Sequence, residues 1–249
     1  MSKAKKMLLL GVYGMEAVEC GGALAINVKN GGESYASIML SSEKSREQVE
    51  KAGEILGLKK VYFNNFEAGT VDLSREKKVE LIRVIREVKP DVIITQDPEH
   101  SYHDLDPDRR PAMLLLLEVI ALASRRFALE DMPELEPHPI PKIYYMSPEN
   151  PNCILNIASV WDLKDKAMDV LESQMEFSGR HFEHGLNDDE LDAIVPGFKD
   201  LETYYEKGRY VHREIDKALH MYHGVCGHGH FALAEAYRFE GKFEFYELD

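Results

Sequence analysis

Apolar residues occur along the chain in short runs that alternate with longer segments of helical periodicity. The runs lie at residues 7–12, 35–40, 60–63, 92–95 and 143–146, and the helical patterns lie at 46–56, 75–88 and 110–127. Short apolar runs are typical of strands buried on both faces, and their alternation with helices is typical of right-handed crossover units. The pattern therefore predicts an α/β protein with a Rossmann-like, mostly parallel sheet flanked by helices.

The pattern changes after residue 147, where helical periods at 162–177 and 200–222 dominate. We expect residues 1–147 to form the Rossmann-like core and residues 148–249 to be a mainly helical completion of the same domain. A chain of 249 residues is long enough for one sizeable core, and its length does not demand a second. The prediction is a single domain over 1–249.

Composition and charge argue against several classes of partner. The chain has no apolar run near 18 residues, so no membrane span is expected. The 30 basic and 44 acidic side chains give a net charge of −14, which repels nucleic acids and anionic membranes.

Three cysteines without C-x-x-C spacing predict free thiols. The apolar run after the basic residues 1–6 is too short for a signal peptide, so a first strand and a cytoplasmic location are expected.

The most informative stretch is KMLLLGVYGMEAVECGGALA, at residues 6–25. An apolar run there is followed by a turn and then by helical spacing from residue 16 to residue 27. Ligands of open α/β sheets bind at the carboxyl ends of the strands. We therefore expect Tyr13, Gly14, Met15 and Glu16 to face a crevice.

This turn resembles the opening motif of the PIG-L/LmbE-like family of zinc-dependent de-N-acetylases, A-H-P-D-D-E-x-x-x-C/x-G-G. The matching residues here run from Gly11 to Glu16 and continue at 20–22. The resemblance implies that the zinc-binding His and second Asp of the family correspond to Val12 and Met15, and the general base to Gly14. None of these three side chains binds zinc or takes up a proton.

A second segment is similar to the strand and the H-P-D-H motif of the same family. The strand corresponds to residues 89–98 and the motif to residues 106–109, where only Pro107 and Asp108 agree with it. The resemblance implies that Asp108 is the family's assisting Asp and that Arg109 stands at the last zinc ligand. Further similarity covers residues 46–57, 141–145, 160–174 and 231–239. We therefore expect a divergent member without metal at Val12, Met15 and Arg109.

Other polar residues near the crevice offer two interpretations. In the first, Glu16, His103 and Asp108 are candidate catalytic residues. Together with neighbouring acidic and imidazole groups they form either a relocated site for zinc or another divalent metal, or a set of acid and base groups. The alternative is that Asp104, Asp106 and Asp108 are turn and N-cap residues before a helix.

The pair of Tyr13 and Arg109 also has two interpretations. With Asp106, these side chains form a candidate substrate-binding pocket for an anionic or sugar-like ligand. Alternatively, Arg109 replaces the cation of the missing zinc and pairs with Glu16, Asp106 or Asp108.

A separate cluster of possible metal ligands lies near the end of the chain, in ALHMYHGVCGHGHF. Its members are His220, His223, Cys226, His228 and His230. Imidazole and thiolate bind zinc, nickel or copper, but the spacing matches no standard zinc motif. The alternative is that His220 and His223 lie at the end of a helix, where cationic imidazole is favourable.

Two functional classes follow from these observations. One is a non-catalytic protein of the family that binds a small polar or sugar-like ligand. The other is a hydrolase of N-acyl amino sugars, of the family's de-N-acetylase type, with a relocated metal or acid/base set. In both cases the partner is a small molecule, and the resemblance implies a homo-oligomer.

Overall fold

The computed structural model describes residues 4–241, so the first three residues of the basic N-terminal segment lie outside the described range. Its strands are β1 Lys6–Tyr13, β2 Glu33–Leu40, β3 Lys60–Phe63, β4 Val92–Gln96, β5 Lys142–Met146, β6 Cys153–Asn156 and β7 Ala234–Glu240. They form one seven-stranded sheet in the order β3-β2-β1-β4-β5-β7-β6. The first five strands are parallel, and β7 and β6 are antiparallel at one end. The Rossmann-like prediction is confirmed.

Helices cover both faces of the sheet. They are α1 Glu16–Glu19, α2 Gly21–Lys29, α3 Glu43–Leu56, α4 Arg75–Val88, α5 Pro98–His103, α6 Arg109–Ala123, α7 Trp161–Asp169, α8 Glu172–Gly185, α9 Asp188–Ile194 and α10 Tyr204–His223. Successive residues of β1 point to opposite faces: Leu8 and Leu10 pack with α4 and α6, whereas Leu9 packs with α2, α3 and α7. Among residues 4–241, no helix combines the length and the apolar character that crossing a bilayer requires.

Two predicted helices are each broken in the structure. The segment 16–27 is divided at Cys20 into α1 and α2, and the segment 162–177 is divided before Leu171 into α7 and α8. The first break has a visible cause at Gly22, where a Cβ atom would lie 2.5 Å from a carboxylate oxygen of Glu235. That carboxylate caps the first turn of α2. The mainly helical C-terminal part also contributes the two short strands β6 and β7, which the apolar pattern did not predict.

Candidate functional site

The carboxyl ends of the parallel strands meet at one edge of the sheet. Strand β1 is paired with β2 on one side and with β4 on the other. The turn after β1 and the loop before α6 lie together at this edge, since the Tyr13 hydroxyl donates to Asp106 at 2.7 Å. The turn and the polar residues that the sequence analysis placed near the crevice therefore share one rim.

Glu16 is the first residue of α1, and its carboxylate turns back toward the end of β1. Only 1% of its surface is exposed. One oxygen accepts the backbone N–H of Val12 at 2.8 Å, and the other accepts Nη1 of Arg109 at 2.9 Å. Burial raises the pKa of Glu16, and the neighbouring Arg109 opposes that rise. The carboxylate is therefore held by protein groups.

Arg109 begins α6, and its guanidinium lies in the middle of the rim. Besides Glu16, it donates to Oε1 of Gln96 at 2.8 Å and forms a 3.3 Å ion pair with Asp104. Its central carbon lies 5.2 Å from the centre of the Tyr13 ring. Burial opposes the charge, but the surrounding carboxylates raise the pKa of Arg109. Of the three alternative partners predicted for Arg109, the structure shows Glu16, and Asp104 is a second partner that was not predicted.

The aspartates before α6 shape the loop. Asp104 accepts the backbone N–H of Asp106 at 2.8 Å, and Asp106 accepts that of Asp108 at 2.9 Å, so these two residues have the predicted turn role. Asp108 makes no side-chain cap of α6. Its two oxygens accept the backbone N–H of Gly69 at 2.9 and 2.7 Å, which ties a distant loop to the rim.

The three candidate catalytic residues have separate partners in the structure. Glu16 is engaged by Arg109, and Asp108 by Gly69. His103 is exposed, with its ring edge-on to that of Tyr102 at a centre-to-centre distance of 5.2 Å. Within the described range no hydrogen bond joins any two of the three. Tyr13, Asp106 and Arg109, predicted as a binding group, do lie together, but they bond mainly to each other and to neighbouring carboxylates.

The residues at the family's zinc positions do not fit the metal. Val12 is fully buried in the apolar layer beside α4 and α6, and Met15 packs against the layer on the other face. Arg109 is a permanent cation with no lone pair for a metal. Zinc requires nitrogen, sulfur or carboxylate donors, and these three side chains offer none. Over residues 4–241, moreover, no three His, Cys, Asp or Glu residues are grouped so as to hold a metal ion.

A crevice runs along the rim and has two neighbouring parts that share lining residues. The narrow part, of about 140 Å³, is lined by Glu19, Gln96, Asp97, His100, Asp104, Arg109, Met146 and Ser147. The wide part, of about 400 Å³, extends between α1, the end of β5 and α10. Glu19, Met146 and Ser147 line both parts. The volume of the wide part falls in the range of small-molecule sites.

Burial changes the ionisation of several groups that line the wide part. It raises the pKa of Glu19 to about 7, with a further contribution from the nearby Glu16. Burial also raises the pKa of Asp216 on α10. The same cause lowers the pKa of His212 and of His220 to about 4, so both imidazoles are neutral at pH 7.

A buried ion pair forms the back of the wide part. The ammonium of Lys164 lies 2.9 Å from Glu235 and donates to the carbonyls of Val18 and Glu19 at the end of α1. Glu235 in turn accepts the N–H groups of Gly22 and Ala23, at the start of α2. These bonds fix the break between α1 and α2, and with it the position of Glu19.

The C-terminal histidines and cysteine are described in full and do not converge. His220 is buried, and its Nδ1 lies 3.0 Å from the carbonyl of Ala234. His223 lies at the last turn of α10, as the helix-end alternative predicted. Cys226, His228 and His230 are exposed.

Sequence reasoning missed several residues of the crevice, among them Glu19, Gln96 and Asp216. Gln96 carries a usable signal, because it is the polar residue that ends a buried parallel strand. Glu19 and Asp216 lie on helices whose apolar spacing gives no indication that their carboxylates face one cavity.

The fold and the rim define an α/β protein with a crevice at the carboxyl ends of its parallel strands. No family model matches the chain. The diacetylchitobiose deacetylase of Thermococcus kodakarensis is 31% identical over 130 residues, which are 51% of this chain and 48% of that protein. The match thus spans about half the length of this curated relative.

Solved structures show the same fold over nearly the whole chain. The N,N'-diacetylchitobiose deacetylase of Pyrococcus horikoshii has a TM-score of 0.70 at 22% identity, covering 96% of this chain and 84% of its own. The conserved protein TT1542 of Thermus thermophilus has a TM-score of 0.69 at 20% identity, covering 97% of both chains. GalB, the 4-carboxy-2-hydroxymuconate hydratase of Pseudomonas putida, has a TM-score of 0.65 at 18% identity, covering 98% of this chain and 100% of its own.

The chain is thus similar in sequence to a deacetylase over about half of its length, and it shares the fold of these proteins over nearly all of it. At the positions where the PIG-L/LmbE-like motifs carry zinc ligands, this chain has Val12, Met15 and Arg109. The similar structures include both deacetylases and a hydratase, so the fold alone does not specify a reaction.

Proposed function

We propose that this protein binds a small polar or sugar-like molecule in the crevice and does not perform zinc-dependent deacetylation. The observation that carries the proposal is the replacement of all three metal positions, with Arg109 paired to Glu16 at 2.9 Å. A zinc-bound hydroxide requires ligands that Val12, Met15 and Arg109 do not provide. The similarity to a diacetylchitobiose deacetylase supports a sugar-like ligand.

The proposal is tested on the purified protein with zinc present and absent. We expect no stoichiometric zinc by elemental analysis and no acetate release from N-acetylglucosamine or diacetylchitobiose, while calorimetry detects binding of a sugar. Arg109→His is a matched variant that restores one ligand only, and it should also bind no zinc because Val12 and Met15 remain apolar. Stoichiometric zinc together with chelator-sensitive acetate release contradicts the proposal.

One observation favours a second candidate, a hydrolase that works by acid/base catalysis at a relocated position. Glu19 lines both parts of the crevice, and burial raises its pKa to about 7. A carboxyl group with such a pKa exchanges protons readily at neutral pH. Acetate release that resists chelators and disappears in Glu19→Gln supports this candidate over the binding protein.

We further infer a cytoplasmic location and a homo-oligomeric state. Support for the location comes from Cys20, Cys153 and Cys226, which are all free, as is usual in a reducing compartment. Light scattering on the purified protein tests the oligomeric state.

A further inference from the structure

We propose that the ligand of the crevice carries a protonated amine, which is held between the carboxylates of Glu19 and Asp216. This inference rests on the proposed function, since it names the chemical class of ligand for the same crevice. It depends on the balance of charges along the wide part and on one unpaired donor in the narrow part.

The cations near the crevice are already paired with protein groups. Lys164 is bonded to Glu235 and to two backbone carbonyls. Arg109 is bonded to Glu16, Gln96 and Asp104. Arg209 is bonded to Asp165 and Asp169. Lys164 lowers the pKa of both Glu19 and Asp216 through space, but in the described part of the chain none of these three cations forms an ion pair with either carboxylate.

The carboxylates of Glu19 and Asp216 have no hydrogen-bond or ion-pair partner among residues 4–241. Both residues line the wide part, and the charge of Asp216 contributes to the raised pKa of Glu19. Asp216 lies on the face of α10 that also carries His212 and His220, four residues away on either side, and all three line the wide part. Because both imidazoles are neutral at pH 7, they do not compensate the negative charge. A cationic ligand does.

The narrow part supplies an independent observation. Gln96 is 4% exposed, and its Nε2 has no hydrogen-bond partner within the described structure. The orientation of this amide is fixed, because its oxygen accepts Nη1 of Arg109 at 2.8 Å. A buried donor without a partner is unfavourable, so an oxygen of a ligand that accepts from it stabilises the complex.

The two parts together are complementary to a ligand that has an oxygen acceptor at one end, beside Gln96, and an ammonium group at the other, beside Glu19 and Asp216. An amino sugar or a similar amino polyol has this character. A divalent metal ion fits less well, because in the part of the chain that the structure describes the crevice does not gather three metal-binding side chains.

The experiment uses three sugars that differ at one substituent: D-glucosamine, D-glucose and N-acetyl-D-glucosamine. Titration calorimetry at pH 7 should show glucosamine binding at least about tenfold tighter than the two neutral sugars, as expected for one charge-assisted contact. Glu19→Gln and Asp216→Asn should each reduce that preference about tenfold. Both variants remove a carboxylate that has no partner, so folding should be retained, which circular dichroism checks.

Glu214→Gln is the control variant, because it removes an exposed carboxylate from the same helix. It should leave the preference for glucosamine unchanged. Equal affinity for the three sugars overturns the amine inference but leaves the proposed binding function standing. If no sugar binds while 1,4-diaminobutane binds in a way that depends on Glu19 and Asp216, the amine inference stands and the sugar-like ligand is wrong. Binding of Zn²⁺ or Mn²⁺ at these carboxylates, with no binding of any amine, overturns the inference in favour of a metal site.

Discussion

A single guanidinium, that of Arg109, holds three segments of the rim together. It bonds to Glu16 after β1, to Gln96 at the end of β4 and to Asp104 in the loop before α6. In a zinc enzyme of this family a metal ion would supply positive charge at the same place. Here a side chain supplies it, and a guanidinium does not bind and ionise a water as a metal ion does, so the residue stabilises the rim and does not activate a nucleophile.

Arg109→Met should destabilise the protein strongly at pH 8 and less at pH 5. The side chain is 24% exposed and its partner Glu16 is 1% exposed, so the loss should approach the value for a broken buried pair, about 3 kcal/mol. Without the cation, the already raised pKa of Glu16 rises further, so the folded variant takes up a proton at a higher pH than the wild type does. Stability lost at high pH is thus partly recovered as pH falls. Chemical denaturation at the two pH values measures the difference.

Arg110→Met is the matched control, because Arg110 is the exposed neighbour and forms no ion pair within residues 4–241. It donates to the backbone carbonyls of Tyr102 and Asp104, and its guanidinium lies over the Tyr102 ring. It should change the free energy of unfolding by less than about 1 kcal/mol. An equal deficit of Arg109→Met at both pH values would show that the residue acts through packing and not through charge.

At the level of individual residues, the sequence predicted part of the site. The motif positions placed Tyr13, Glu16 and Arg109 on one rim, and charge balance predicted a carboxylate partner for Arg109. The choice of Asp104 over Asp106 was not predictable, because it depends on which oxygens the loop's own N–H groups and the Tyr13 hydroxyl have already taken.

Among the helices, α4 ends in an unfavourable backbone conformation. Its C-cap residue, Lys89, has φ 54° and ψ 59°, in the left-handed region where a Cβ atom is strained. Lys89→Gly should relieve this strain, but glycine also loses more conformational entropy on folding. The net effect should be a rise of about 0.5–1 kcal/mol in the free energy of unfolding. Thermal unfolding measures the change.

Lys51→Gly is the comparison variant, and it should change the free energy of unfolding in the opposite direction. Lys51 is exposed in the middle of α3, where glycine lowers helix stability by about 1 kcal/mol. A loss of stability in both variants would mean that the Lys89 side chain makes a favourable contact that outweighs its strain.

Elements with strong periodicity were predicted well, and their interruptions were not. The helix at Arg75–Val88 and the strand at Lys60–Phe63 have the predicted bounds. The break at Cys20 was missed because the apolar spacing continues through it, and its cause is a carboxylate at residue 235. The short strand β6 was missed because an edge strand of four residues needs little apolar pattern.

Across the whole molecule, one buried ion pair links the first motif to the last strand. Lys164→Met should lower the free energy of unfolding by about 3–5 kcal/mol, because it leaves the buried carboxylate of Glu235 without its cation. The double variant Lys164→Met/Glu235→Gln should recover part of this loss, since no uncompensated charge remains. Urea denaturation of the single and double variants measures both values.

Lys166→Met is the control, because Lys166 is exposed on the same helix. Its effect should stay within about 0.5 kcal/mol. If the double variant is no more stable than Lys164→Met, the bonds from Lys164 to the carbonyls of α1 dominate over the ion pair.

The bond from Glu235 to Gly22 also determines when the crevice forms during synthesis. The two residues are 213 positions apart, so the first helices leave the ribosome long before the carboxylate that caps α2. Until then Lys164 has no Glu235 to pair with, and the wall that carries Glu19 is not fixed. A ligand of the crevice is therefore expected to stabilise the completed protein but not the nascent chain. Before synthesis is complete, the nascent chain depends on the apolar core of β1, β2 and β4.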